Sequence, residues 1–306
     1  MTDARQLPVS SKNDPATAAS RADQTNQQVV NAEARPFASV DVNCWIGGYP
    51  FREVPHPDPD VLVKVLAREG MSSAWVGYLP GAFHRDPSAA NRVLYAALEP
   101  FRATLRPAPI VRPDWPGWRE ELATAVEMGA HAVRAYPMQW GYGPGNVALA
   151  ELAMACGEVG VVLQLTVRFE DLRQRHSLDT TGDLSAAAVR ALARTSENGC
   201  HLMVLGAGRE LIEEIHWGLT PAEQELVWYD FGWVWGPPDD HFQHLINTIG
   251  GERFVVGTAW PLRLTQHSRA LIDLLSDDTR DALELGEGAA IAAYAQYSAK
   301  MRTKNR

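Results

Sequence analysis

The strongest constraint on this chain is a rhythm in which a short apolar run alternates eight times with a longer amphipathic one. After the stretch Ser39–Gly48, apolar runs recur at Ser73–Leu79, Leu105–Val111, Ala132–Tyr136, Val161–Val167, His201–Leu205, Leu226–Asp230 and Phe254–Thr258. Val161–Val167 is almost continuously apolar, as a parallel strand buried on both faces should be. Between the runs lie helical segments with recognisable ends. Asp58-Pro59 and Asp86-Pro87 place a cap before a first-turn proline, Gly70 closes the first helix, and Thr220-Pro221-Ala222-Glu223 has capping-box spacing. Further helices are expected at Pro116–Met128, Val147–Val159, Leu184–Arg194, Arg209–Trp217, Asp240–Ile249 and Ser268–Leu275, then near Asp277–Leu285 and Gly288–Met301. Eight βα units predict an α/β fold, a (β/α)8 TIM-type barrel with extra C-terminal helices. A doubly wound sheet would want a glycine-rich phosphate turn, and Gly206-Ala207-Gly208 is too short for one.

Composition bounds the rest. Residues 1–36 are polar and small and are expected to be a disordered tail, leaving 37–306 as the barrel domain. The net charge of −9 and the lack of a basic run argue against a nucleic-acid partner. No apolar run reaches the roughly 18–20 residues of a membrane span, and no secretory signal opens the chain, so no membrane partner is expected. Cys44, Cys156 and Cys200 sit in apolar surroundings as reduced thiols, which suits a cytoplasmic protein.

A barrel keeps its working groups at the carboxyl ends of its strands. In the first, Val40, Val42 and Cys44 alternate with Asp41, Asn43 and Trp45, so the latter three are expected on one face. That alternation turns Cys44 away from the lumen. The other ends offer Arg134 and Tyr136; Gln164, Arg168, Arg173 and His176; Asp230; and Trp260. Arg134 and Arg168 could clamp an anion in a bidentate way, or form salt bridges to Asp41 or Glu170. His176 could move a proton, or be an exposed loop histidine bonded to Asp171 or Asp179. Asp230 could take a proton or pair with an arginine. Trp75, Trp115, Trp118, Trp217 and Trp228 read as packing between strand and helix.

Three stretches resemble the amidohydrolase superfamily, in its decarboxylase and lactonase branch: the Asp-x-Asn-x-Trp strand, the Arg-x-Tyr-Pro of the fourth strand, and Gly257-Thr258-Ala259-Trp260-Pro261. The resemblance implies a metal held by a His-x-His pair, further histidines and a catalytic aspartate. Here Asn43 and Trp45 fill the first pair, Gln164 replaces the fifth-strand histidine, no histidine stands near Leu205-Gly206, and Ala259 takes the aspartate's place. A catalytic zinc needs about three His, Cys or carboxylate ligands, so no metal and no other cofactor is expected. Trp45 suits a plug for the vacated space. The expected function is a metal-independent hydrolase or lyase acting on a small anionic substrate, carboxylate-bearing and cyclic or aromatic. His176, Asp230 and Arg134 would be catalytic; Asn43, Trp45, Tyr136, Gln164, Arg168, Arg173 and Trp260 would bind substrate. The alternative is an inactive pseudo-amidohydrolase serving as a ligand-binding or assembly subunit. The resemblance also implies a homo-oligomer.

Overall fold

In a computed structural model of the protein, residues 40–195, 200–235 and 240–283 are described. The expected tail (1–36) and the helix near Gly288–Met301 lie outside them. The strands are β1 (Val40–Ile46), β2 (Ser73–Tyr78), β3 (Leu105–Pro107), β4 (Ala132–Ala135), β5 (Val162–Thr166), β6 (Leu202–Leu205), β7 (Val227–Asp230) and β8 (Phe254–Val255). The main helices are α1 (Pro59–Glu69), α2 (Pro87–Leu98), α3 (Trp118–Glu127), α4 (Val147–Val159), α5 (Ala186–Thr195), α6 (Arg209–Trp217), α7 (His241–Ile249) and α8 (Thr265–Asp273). Neighbouring strands pair in parallel within β1–β3 and β4–β8. Two seams close the ring. The Arg134 amide donates to the Pro109 carbonyl (2.8 Å) between β3 and β4, and the Val42 amide donates to the Val256 carbonyl (2.9 Å) between β8 and β1. This is the expected (β/α)8 barrel. No described helix is long and apolar enough to cross a membrane.

Local signals hold at most helix ends, although Asp58, at the N-cap position before Pro59, makes no side-chain cap bond. Asp86 accepts from the Ser88 amide, Gly70 ends α1 at φ +74°, and Thr220 with Glu223 forms the capping box. Outward-facing strand residues such as Cys44, Val76, Leu163 and Val204 pack with helix residues such as Leu62, Leu94 and Leu152 in the main core. Cys44 therefore does face away from the lumen, and burial pushes its thiol pKa well up. At the strand starts a second cluster fills the barrel floor with Val42, Ala132, Val162, Met203, Trp75 and Trp228. The two tryptophans thus pack inside the barrel rather than under helices, because they precede the inward positions Gly77 and Asp230 by two residues.

The first strand departs from simple alternation. Asp41 pairs with Ala74 and Cys44 with Val76, so three steps on β1 face two on β2, which is a β-bulge. The bulge sends both Val42 and Asn43 inward and leaves Asp41 on the outer side. The expectation that Asp41, Asn43 and Trp45 share a face is corrected accordingly. Asp41 anchors this kink: its carboxylate accepts from the Asn43 amide (2.9 Å), the Thr258 amide (3.2 Å) and the Thr258 hydroxyl (2.6 Å). It is fully buried, so its loss would strand three donors. Asp41→Ala is expected to cost about 3–5 kcal/mol in urea unfolding. A loss below about 1 kcal/mol would show that the bulge stands without the carboxylate.

Candidate active site

Above the floor, the inward positions of five strands are polar or glycine: Asn43 on β1, Gly77 on β2, Arg134 on β4, Gln164 on β5 and Asp230 on β7. All four polar side chains are fully or almost fully buried. Buried polar groups must satisfy one another, and here they form two linked sets. Asn43 Nδ2 donates to Asp230 Oδ2 (2.6 Å), and the Gly206 amide donates to Asp230 Oδ1 (2.8 Å). Arg134 Nε donates to Gln164 Oε1 (2.9 Å) and its Nη2 to the Trp75 carbonyl (3.3 Å), while Gln164 Nε2 donates to the Val42 carbonyl (2.8 Å). Glycines make room for this packing. A Cβ on Gly77 would lie 3.1 Å from the Arg134 side chain, and one on Gly257 would lie 2.7 Å from Asp230 Cβ.

Aromatic rings cover the polar layer. The Arg134 guanidinium lies 4.7 Å from the centroid of the Trp45 ring, and Trp45 Nε1 donates to the Tyr136 hydroxyl (3.4 Å). Phe169 adds its ring 5.9 Å from Trp45 and 5.4 Å from Tyr136. With Leu79, Ile110, Ala259 and Leu262 these rings form an apolar cap over the lumen. Burial dominates the electrostatics below it. It raises the Asp230 carboxyl to about 7 against the lowering hydrogen bonds from Gly206 and Asn43, and it lowers the Arg134 guanidinium.

The structure therefore gathers Asn43, Trp45, Arg134, Tyr136, Gln164 and Asp230 and separates the other candidates. His176 is exposed: its Nδ1 accepts from the Leu178 amide (3.1 Å) rather than bonding to Asp171 or Asp179, and its ring stacks on Phe51. A base there does not reach the sealed Asp230. Arg168 pairs with Asp183 (2.9 Å) rather than with Asp41 or Glu170. Arg173 is exposed and bonded to Asp171, whose pKa it holds down at about 2. Trp260 packs in the main core among outward-facing residues, because it follows Thr258, whose hydroxyl faces Asp41. As a lumen contact it is corrected.

One concave region was missed. A cleft of about 350 Å³ lies at the strand-end face, lined by Phe51, Phe83, Arg85, Arg112, Gln139 and Trp140 among others. Its walls come from loops after the first five strands. Gln139 and Trp140 follow the fourth strand, where working groups and aromatic walls are expected, while Arg85 and Arg112 follow the second and third strand regions and carry no signal beyond that position.

No protein-family model matches the chain, and no curated protein sequence matches it. Solved structures do. It is similar to 2,6-dihydroxybenzoate decarboxylase from Rhizobium at 14% identity, covering 85% of this chain and 99% of that one, with a TM-score of 0.61. It is similar to a dihydroxybenzoic acid decarboxylase from Polaromonas sp. JS666, which carries bound manganese and the inhibitor 2-nitroresorcinol, at 13% identity, 84% and 97% coverage and TM-score 0.62. It is also similar to 4-oxalomesaconate hydratase from Rhodopseudomonas palustris, at 12% identity, 87% and 98% coverage and TM-score 0.53. At such identities the likeness is one of fold.

That resemblance implies a metal, and the lumen residues do not fit one. Asp230 is a single carboxylate, the Gln164 oxygen is taken by Arg134, and a fixed guanidinium already supplies the positive charge. Among the described residues no group of three or more His, Cys, Asp or Glu side chains is arranged to hold a metal ion.

Asp230 makes stability depend on pH. Folded, it keeps its proton up to about pH 7, whereas its ordinary value is 3.8. Between these values the native state holds a proton that the unfolded chain has lost, so stability falls as pH rises and levels off above about 7. Relative to Asp230→Asn, the wild type is expected to lose about 2–3 kcal/mol between pH 5 and pH 8 in urea unfolding. Parallel profiles for the two proteins would mean that Asp230 ionises normally in the fold.

Proposed function

We propose that this chain is an amidohydrolase-like barrel whose lumen no longer carries out chemistry, and that it serves to bind a small anionic molecule. One observation carries the reading: the Trp45 ring lies over Arg134 and, with Tyr136 and Phe169, closes the space in which a substrate would meet Asp230. General acid–base work needs a heavy-atom approach of about 2.6–3.2 Å to the reacting group. Both carboxylate oxygens of Asp230 are instead held by Asn43 and Gly206. The two proton carriers expected from the sequence, His176 and Asp230, lie on opposite sides of the aromatic cap.

A second reading has one observation in its favour. A carboxyl that titrates near neutrality is what a general acid requires, and aromatic acids are substrates of the similar decarboxylases. On that reading the chain is a metal-independent lyase, and Trp45 must swing aside to admit the substrate.

Turnover separates the two. The full chain incubated with 2,6-dihydroxybenzoate, followed by carbon dioxide release, is expected to match the uncatalysed rate, and so is Asp230→Asn. Release that Asp230→Asn abolishes would establish the lyase.

A further inference from the structure

With the lumen closed, the cleft on the strand-end face is where a ligand can be received. Its volume of about 350 Å³ falls in the range, on the order of 300–1,000 Å³, of small-molecule sites. Its chemistry is divided by position. Phe51, Phe83 and Trp140 offer flat apolar walls. Arg112 is anchored, with Nε and Nη2 bonded to Asp114 at 2.7 and 3.1 Å and its guanidinium 5.8 Å from the Trp140 ring. Arg85 is exposed, its guanidinium 5.6 Å from the Trp115 ring, and among the described residues it has no carboxylate within 4.0 Å. Gln139, Asp179 and Thr181 also line the cleft. Gln139 gives its Nε2 hydrogen to Thr181 Oγ1 (3.3 Å), and Thr181 gives its own to Asp179 (2.6 Å), while Gln139 Oε1 is buried with no partner.

A buried amide oxygen without a donor is destabilising, and a ligand N–H that the Gln139 side chain turns to meet removes that cost. An arginine without a counter-ion takes a carboxylate or phosphate in the same way. Flat walls select a ring.

We propose that this cleft binds a small planar aromatic acid bearing an N–H donor, with its acid group on Arg85 and Arg112 and its N–H on Gln139 Oε1. The site lies outside the aromatic cap, so the bound acid does not touch Asp230. This assignment rests on the reading of the lumen as closed and adds the ligand's chemical class and place.

The test is isothermal titration of the full chain with 2-aminobenzoate, benzoate and aniline at neutral pH. 2-Aminobenzoate is expected to bind at least about tenfold more tightly than benzoate, which lacks the donor, or aniline, which lacks the acid. Arg85→Met should weaken both acids by about tenfold or more while keeping the preference for the amino compound. Gln139→Leu should erase that preference. Arg85 is exposed, so its variant is expected to melt within a few degrees of the wild type. Equal affinity for the three compounds, no heat with any of them at millimolar concentration, or wild-type binding by Arg85→Met would overturn the proposal. Binding lost in Asp230→Asn but kept in Arg85→Met would place the ligand in the lumen and sink the closed-lumen reading as well. Turnover that depends on Asp230, together with cleft binding that depends on Arg85, would sink that reading alone.

Discussion

The interior depends on one contact, the Arg134 guanidinium against the face of Trp45. A guanidinium cannot shed its charge inside a protein, so the lumen must be built to tolerate it. The ring supplies a negative face at 4.7 Å. Gln164 turns its oxygen to Nε, and the Trp75 carbonyl takes Nη2. Gly77 leaves space for the side chain to lie flat. Removing the ring would expose the charge, and removing the charge would leave Gln164 and a carbonyl without donors. The two residues hold each other in place, and the lumen carries a permanent cation that is part of the chain.

The bulge in β1 decides which residues meet that cation. Without the extra residue, Asp41 would share a face with Asn43 and sit near Arg134, and the lumen would hold a direct ion pair. With it, Asp41 joins Thr258 on the outer side, and the neutral Asn43 faces Asp230. The carboxylate that remains inside is bonded to an amide and a backbone N–H, neither of which carries a charge, so desolvation prevails and raises its pKa. A one-residue slip in a strand thus sets the protonation of a group more than a hundred positions away.

How much of this could be read in advance varies with the range of the interaction. Helix ends such as Asp86, Gly70 and Thr220–Glu223 are fixed by neighbours within a few residues, and their signals were visible. The barrel was visible because its rhythm repeats, and the outward turn of Cys44 followed from its place in the strand. The bulge was not, since Asp41 and Asn43 look alike in the pattern and only the Thr258 side chain, far along the chain, makes the difference. In the sequence Trp75 and Trp228 read as helix-packing residues, because a ring large enough to pack under a helix is also large enough to fill a barrel floor. His176 and Asp230 share no local signal that tells whether they meet. The cleft was invisible for the same reason, as its walls come from separate loops that only closure of the barrel brings together.

At Ala259 backbone shape and side-chain chemistry pull in different directions. Its φ of +60° lies in the left-handed region, which is uncommon outside glycine and several-fold enriched in asparagine and aspartate. Alanine has no side-chain polar group to bond to the local backbone there, so the surroundings must hold it: its amide donates to the Asn43 carbonyl (2.9 Å), and its methyl group packs within the aromatic cap. The backbone takes a shape that favours a short polar side chain, while the side chain present is apolar and belongs to the cluster that holds Trp45. A carboxylate at this place would suit the main chain and be stranded by the rings above it. The difference lies in the side chains that fill the barrel's mouth, not in the course of the strands that carry them.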